Sequence, residues 1–434
     1  MSEALSARTA ELCRPALRRQ ETGMEEFESV DAAVEQGAVS DAAPSASDAG
    51  ELMLNPHVEV QRLREGNDIA AYRILAPIRG RGRLNTRVEH DGSEMVAALH
   101  AIVEGTDDVE LSESVCERLA ELGVLVYEHE IGQPVTFRCG LADAAALSAP
   151  VADAGALVVA PRLELTSVAQ LVAQQPELEE ILEPSDALVL VTDALTGARL
   201  PYWLDEHELA LVQRLTPGAP PPRDIDPAIL AQLVGAGIVV DGDAAQAAQA
   251  RLDAAGAQLA HSGYARLPRM LPPLQIAAMA YYYRRLVVSG FTAASDVQVP
   301  LRSARYNEPL LRYYQRELAP FISRVQGAAF KPSFGYFASY RRGATLKKHT
   351  DRPQCALTAS LLLDFAGGSS TGSAWPLYLE LPASGDQVSI ALDVGDAVLF
   401  RGCELPHYRE PFDGERSASY FLHYVDEAFT GDLD

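Results

Sequence analysis

The sequence predicts an α+β chain. A C-terminal antiparallel sandwich or barrel follows two small modules built of two helices and a strand. Two observations carry this. From Tyr336 onward, short apolar runs (ASLLLDF, WPLYLEL, VSIALD, AVLF, SYFLHYV) alternate with Gly, Pro and Ser breaks, which is the texture of closely spaced strands. Upstream, residues 51–260 carry the same helix–break–helix–Gly–strand pattern twice. The resulting organisation is a linker or disordered stretch over 1–50, modules over 51–145 and 146–262, and a strand-rich domain over 263–434.

The first stretch is rich in Ala, Ser, Glu and Asp, and GAVSDAAPSASDAG (37–50) has the composition of a linker. A short helix is expected around residues 3–20. In the repeat, Leu84 and Leu200 each open one copy, and Gly123 and Gly237 each close its second helix, 39 and 37 residues on. A β-branched strand follows each glycine at once: Val124-Leu125-Val126 in one copy, Ile238-Val239-Val240 in the other. A helix stopped by Gly and continued as a strand is a common exit. Ser112 and Asp226 stand where an N-cap is expected.

Two helices and a returning strand outline a winged helix. The second helix of the first copy carries Glu113, Glu117 and Glu121, and that of the second carries almost no charge. Acidic helices are poorly suited to a major groove. The modules instead resemble the PqqD-type peptide-recognition elements of enzymes that modify ribosomally made peptides. That resemblance implies a leader peptide added as a strand to a small sheet. A structural or dimerising pair of modules, and hence a homodimer, is the other reading.

The formal charge of −24 speaks against a nucleic-acid partner. Only three lysines occur, Lys331, Lys347 and Lys348, near the motif described next. They suit an anionic ligand, and equally an ordinary solvated face. Five widely spaced cysteines (Cys13, Cys116, Cys139, Cys355, Cys403) without a CxxC fit reduced thiols in a cytoplasm. No signal-peptide pattern and no apolar run of ~18 residues is present, so no membrane partner is expected.

Helices are expected from Pro272-Pro273 and from Asn307, the second with Leu310, Leu311, Tyr314 and Leu318 on one stripe. Beyond them, SYRRGATLKKHTDRPQCALTASLLLDF contains His349-Thr350-Asp351. Residues i and i+2 at a strand end project to one side, so an imidazole and a carboxylate can meet one ion. His407, 56 residues after Asp351 and just past an apolar strand, supplies a third ligand. Two His and one carboxylate on one face of an octahedron leave three positions open, as in non-haem iron oxygenases. Arg416 follows His407 by nine residues, and Tyr340 precedes His349 by nine.

This order resembles the HxD…H…Arg pattern of the 2-oxoglutarate/Fe(II) dioxygenase superfamily, in particular its prolyl-hydroxylase-like branch. VGDAVLF before the last His adds to the likeness, which spans about residues 267–428. One departure is Ala418 where many relatives carry Ser, with Ser417 and Ser419 on either side. The resemblance implies a double-stranded β-helix (jelly roll) and Fe(II) bound by His349, Asp351 and His407. It also implies 2-oxoglutarate held by Arg416 and Tyr340, O2 as co-substrate, and ascorbate as an added reductant. The usual outcome is hydroxylation of a C–H bond. Thr358 and Ser360 share parity and are expected to face the cofactor pocket. His423 is read as structural, with the pocket wall as its alternative because it shares the last strand with the Arg416 region, and Trp375 is read as core, with the pocket wall as its alternative. The remaining histidines are read as structural. Three functions follow: a hydroxylase of a peptide or protein side chain, an oxygenase of a free amino acid or small metabolite, or a regulator that senses iron and 2-oxoglutarate.

Overall fold

A computed structural model describes residues 52–65, 68–104, 111–143, 157–294, 298–367, 375–382 and 384–433. The expected N-terminal linker, the helix at 3–20 and Cys13 lie outside the described residues. The chain divides between Gln133 and Pro134 into two compact units. Among the described residues, Cys139, Cys355 and Cys403 form no disulfide. No described helix is long and apolar enough to cross a membrane.

The first unit contains β1 (Leu52–Leu54), β2 (Glu59–Glu65), β3 (Asp68–Ile78), β4 (Gly82–Glu89), α1 (Glu94–Glu104), α2 (Glu113–Glu121) and β5 (Leu125–Tyr127). Strands β2, β3 and β4 form an antiparallel meander, and β1 pairs with β5. Alternation along β3 turns Tyr72, Ile74 and Ala76 onto one face, where they pack with Val96 and Leu99 of α1 and Val115 and Leu119 of α2.

The second unit opens with β6 (Leu157–Val159), β7 (Leu163–Thr166), α3 (Val168–Gln174), β8 (Leu188–Thr192), β9 (Arg199–Trp203), α4 (Glu206–Val212), α5 (Pro227–Gly235) and β10 (Val239–Asp241). Here β7, β8 and β9 form the meander, and β6 pairs with β10. The repeat therefore extends further upstream than its sequence signal. Both copies join a leading strand to the strand after the second helix, and α3 is an insertion in the second meander. The two helix exits match closely. Gly123 N–H donates to Ala120 O at 3.0 Å and Val124 N–H to Leu119 O at 2.9 Å; Gly237 N–H donates to Val234 O at 3.0 Å and Ile238 N–H to Leu233 O at 2.9 Å. Both glycines are left-handed, at φ 72° and 71°, which is the conformation such a cap needs. The first helix residue differs: Asp226 accepts from Ala228 N–H, whereas the Ser112 hydroxyl donates to Glu94.

The unit continues with α6 (Ala244–Ser262), β11 (Tyr264–Leu267), α7 (Pro273–Val288), β12 (Ala293–Ala294), β13 (Arg302–Tyr306) and α8 (Pro309–Gln326). Eight strands follow: β14 (Phe330–Arg341), β15 (Leu346–His349), β16 (Leu357–Ala366), β17 (Leu377–Glu380), β18 (Gln387–Ile390), β19 (Ala397–Phe400), β20 (His407–Arg409) and β21 (Arg416–Asp426). Within this unit the large sheet runs β11–β19–β16–β21–β14–β13–β12, and a small sheet runs β15–β20–β17–β18. All pairings in both are antiparallel. The chain passes back and forth between the two sheets, an arrangement consistent with a jelly roll.

The large sheet has two different faces. Its inner face packs on the small sheet, with Leu362, Val398 and Phe400 against Leu377, Leu379 and Ile390. On its outer face, Leu357, Ala359, Leu361, Tyr420, Leu422 and Tyr424 share a core with the helices and with the second repeat copy. Pro273 and Pro309 occupy first-turn positions of α7 and α8, where no N–H is needed. Glu308, at the cap of α8, is fully buried and accepts from Leu311 N–H and from the hydroxyls of Tyr282 and Tyr283. Gln315 of α8 donates to Phe334 O at 3.0 Å and to His423 O at 2.7 Å. It thereby satisfies carbonyls where the β14–β21 register shifts between Pro332 and Gly335. The second copy is joined to this core by Arg199, whose guanidinium meets Glu317 of α8 at 2.7 Å.

The paired caps are distinguishable by substitution. A Cβ at Gly237 meets nothing within 4 Å, whereas one at Gly123 falls 2.7 Å from Ile78 Cδ1 and 2.9 Å from Ala76 Cβ. Gly237→Ala should cost about 1 kcal/mol of left-handed strain, and Gly123→Ala roughly 2–4 kcal/mol because overpacking is added. Urea unfolding of both variants reads the difference; equal costs would contradict the two packing environments.

Candidate metal centre

The cluster is assembled by strand pairing. In the small sheet, β15 runs antiparallel to β20 with His349 directly opposite His407. A directly opposed pair on one face brings side chains together, and the two imidazole centroids are 4.3 Å apart. Asp351 lies two residues beyond His349. Its backbone N–H donates to Gly402 O at 2.9 Å, which ties the chain just after β15 to the turn between β19 and β20.

The carboxylate of Asp351 is oriented from both ends. Thr358 Oγ1 donates to Oδ2 at 2.9 Å, and Oδ1 lies 3.7 Å from His349 Nε2 and 3.5 Å from His407 Nε2. The glycine at 402 is required here, because a Cβ there would fall 2.3 Å from Asp351 Oδ2 and 2.8 Å from Thr358 Oγ1. Each histidine has its other ring nitrogen on a carbonyl two residues earlier: His349 Nδ1 on Lys347 O at 2.8 Å, His407 Nδ1 on Leu405 O at 3.0 Å. A proton on Nδ1 donated to that carbonyl leaves the Nε2 lone pair free and aimed at the cluster, the usual arrangement of a metal-binding His.

The electrostatics favour the ligand forms. Burial and the neighbouring His407 push the His349 imidazole below its ordinary value, so it stays neutral. Burial alone would raise the Asp351 carboxyl. The hydrogen bond and charge of His407, with help from His423 and Thr358, outweigh it and hold the group below its usual range. One ligand atom from each of His349, Asp351 and His407 lies within 4.8 Å of the others. Two imidazole nitrogens and a carboxylate oxygen on one side of an ion are a donor set suited to Fe(II), with positions left for other ligands.

The residues that support the three donors were only partly legible in the sequence. Thr358 lies on the inner face, as its parity predicts, but its hydroxyl serves Asp351 and meets His423 Nδ1 at 3.0 Å. His423 is buried, and its ring lies tilted against Phe334 with centroids 4.4 Å apart. Together with Asp351 and Cys355 it forms a second group of donor atoms within 4.8 Å. Its Nε2 has no hydrogen-bond partner, nor do Ser360 Oγ and Arg409 Nε, all three buried. These orphaned polar atoms belong to inner-face residues beside the cluster, where a polar ligand would satisfy them. The wall is aromatic: Tyr340 meets Trp375 edge-on at 5.1 Å, and Phe412 and Phe421 share their cluster.

Arg416 is not brought to this wall. Its Nε donates to Asp364 Oδ2 at 2.6 Å, and Asp364 also faces Arg284 of α7 at 3.7 Å. Alternation along β21 puts Ala418, Tyr420, Leu422 and Tyr424 on the helix side, and Arg416 has the same parity. Of the three lysines, Lys331 donates to Glu427 O and Phe429 O, and Lys348 pairs with Glu380. No sequence expectation fell on Arg409 or Gly402, and Cys355 was expected only as a reduced thiol. Arg409 follows His407 by two residues, a parity signal that was available.

No protein-family profile matches the chain, and no curated protein does. Solved structures similar to it include a prolyl-4-hydroxylase from Pseudomonas putida, at 20% identity and TM-score 0.35, covering 41% of this chain and all of that one. A second is a prolyl hydroxylase in complex with a hypoxia-inducible-factor peptide from Trichoplax adhaerens, at 17% identity and TM-score 0.36, covering 42% of this chain and 93% of that one. A third is HygX from Streptomyces hygroscopicus with nickel and 2-oxoglutarate bound, at 12% identity and TM-score 0.30, covering 40% and 86%.

Gly402→Ala should displace the Asp351 carboxylate and weaken Mn(II) binding by about 10–100-fold, a typical loss on disturbing a ligand's support. Circular dichroism should remain that of the parent, and unchanged Mn(II) affinity in a paramagnetic-resonance titration would contradict the contact. A separate outcome concerns His423, whose pKa burial pushes down from 6.5 to about 4. The folded protein resists a proton that the unfolded chain accepts near 6.5. Its contribution is therefore full above that pH and is lost as pH falls toward 4, a term on the order of 3 kcal/mol. Metal-free His423→Phe should show a shallower loss of melting temperature between pH 6.5 and 4 than the parent.

Proposed function

We propose that this chain is an Fe(II)- and 2-oxoglutarate-dependent oxygenase with its metal on His349, Asp351 and His407. The observation that carries the reading is the pair of histidines locked through Nδ1, with both Nε2 atoms facing one oxygen of a supported carboxylate. When bound, iron, 2-oxoglutarate and O2 supply an oxidant that converts R–H to R–OH while 2-oxoglutarate leaves as succinate and CO2. The protein's share is positioning and water exclusion. His349 and His407 present their lone pairs, and Asp351 presents Oδ1 while Thr358 holds Oδ2. Tyr340, Trp375 and Phe421 form an aromatic cluster on the inner face that excludes water from around the bound cosubstrate.

The substrate we propose is a peptide or protein side chain. Each repeat copy contains three consecutive antiparallel strands and a short ribbon, and an extended peptide binds such a module by adding a strand at a sheet edge. In the second copy β7 is an outer strand of its meander. In this reading the copies recognise a leader segment, as in the PqqD-type elements they resemble. Acidic α2 is a poor fit for DNA.

Anaerobically purified protein given Fe(II), 2-oxoglutarate and air should form succinate, and His349→Ala and Asp351→Ala should form none. Succinate that persists in either variant would overturn the metal assignment. For the peptide, removing residues 1–133, the unit that ends at Gln133, should leave slow succinate formation in place and raise the KM for a leader-bearing peptide at least tenfold. An unchanged KM would sink the role of the first copy in recognition.

A further inference from the structure

We propose that Arg409, and not Arg416, holds the far carboxylate of the dicarboxylic 2-oxo acid bound at the metal site. The inference rests on the oxygenase reading above and goes beyond it by moving the anion site to a different strand. His407 and Arg409 begin and end β20, so they lie on the same side of one strand, about 7 Å apart along it. That spacing suits a five-carbon diacid chelating the metal at one end and meeting a cation at the other.

Arg409 is buried, at 6% exposure. Its guanidinium lies against the Trp375 ring, 4.8 Å from the centroid, and donates to Trp375 O. Its Nε is buried with no partner. Among the described residues no carboxylate forms an ion pair with it. A buried guanidinium without a counter-anion is costly, because desolvation is not offset by attraction. An incoming carboxylate would supply the missing charge and accept a forked pair of N–H donors.

Two other arginines of the large sheet, Arg416 and Arg302, are already engaged. Arg416 is 36% exposed and bound to Asp364 on the helix side. Arg302 of β13 is buried but contacts Gln298 at 3.4 Å and lies over the Tyr336 ring. The wall around Arg409 contains Tyr340, which meets the same Trp375. The tyrosine that the sequence pattern assigns to the cosubstrate thus lies beside Arg409.

The test pairs each arginine with the ligand's far carboxylate. Full-length Mn(II)-loaded protein is titrated under nitrogen with 2-oxoglutarate and with 2-oxobutyrate, which has the same chelating head and no far carboxylate. Wild type should prefer 2-oxoglutarate by roughly 10–100-fold, the range of a charge-assisted hydrogen bond. R409L should lose that preference while keeping its affinity for 2-oxobutyrate and for Mn(II). R416A should retain it. If R409L does not fold, R409K takes its place, keeping the charge without the fork, and its preference should fall below tenfold. A preference lost in R416A and kept in R409L or R409K would overturn the proposal, as would a wild type that binds both acids equally. A wild type that binds Mn(II) but neither acid would remove the oxygenase reading itself.

Discussion

The metal-site geometry turns on a contact between a carboxylate and a missing side chain. Asp351 Oδ2 occupies the volume that a Cβ at position 402 would fill, and the Asp351 N–H is bonded to Gly402 O. With Oδ2 held there by Thr358, Oδ1 has one direction left, toward the two imidazoles. Each imidazole is fixed independently by its own carbonyl. Three donors are thus preorganised by separate local bonds, so binding an ion need not order flexible side chains.

This preorganisation depends on how the large sheet is backed. The inner face has orphaned polar atoms at Ser360, Arg409 and His423, which destabilise the fold unless a ligand meets them. The outer face is where apolar burial is concentrated, with α7, α8 and the second repeat copy in one continuous core. Two polar anchors cross that core, Gln315 on the bulged carbonyls of β14 and β21 and Glu308 under its two tyrosines. They hold the bulge and the helix start where packing alone would allow sliding. The second copy is thus part of what supports the site-bearing sheet, in addition to any role in recognition.

The first copy stands in a unit of its own, yet its helix exit matches the second copy's to within a tenth of an ångström in both cap bonds. The common constraint is a left-handed residue between a helix and a strand, which only glycine meets without strain. The surroundings have diverged. Gly123 is packed against Ile78 and Ala76, and Gly237 has open space.

Much of this was written locally in the chain. The i, i+2 parity of His349 and Asp351, the apolar strands, the Gly-terminated helices and the proline-led helices α7 and α8 all follow from backbone period and capping chemistry, which neighbouring residues determine. The clustering of His349, Asp351 and His407 was legible for that reason. The directions of Arg416 and Arg409 were not, because they depend on strand phase. A slip of one residue moves a side chain to the other face of a sheet. The phase of β21 is set by its pairing with β14 and by a bulge in β16 between Leu362 and Asp364. That phase turns Arg416 outward to Asp364 and leaves Ser417, Ser419, Phe421 and His423 facing inward. No spacing in the sequence reports a bulge on a partner strand. The sequence by itself determined which side chains share a strand face and can cluster as His349, Asp351 and His407 do; only the tertiary structure decided that Arg416 turns to Asp364 and that Arg409 is buried without a carboxylate partner among the described residues, because those outcomes depend on register between strands far apart in the chain.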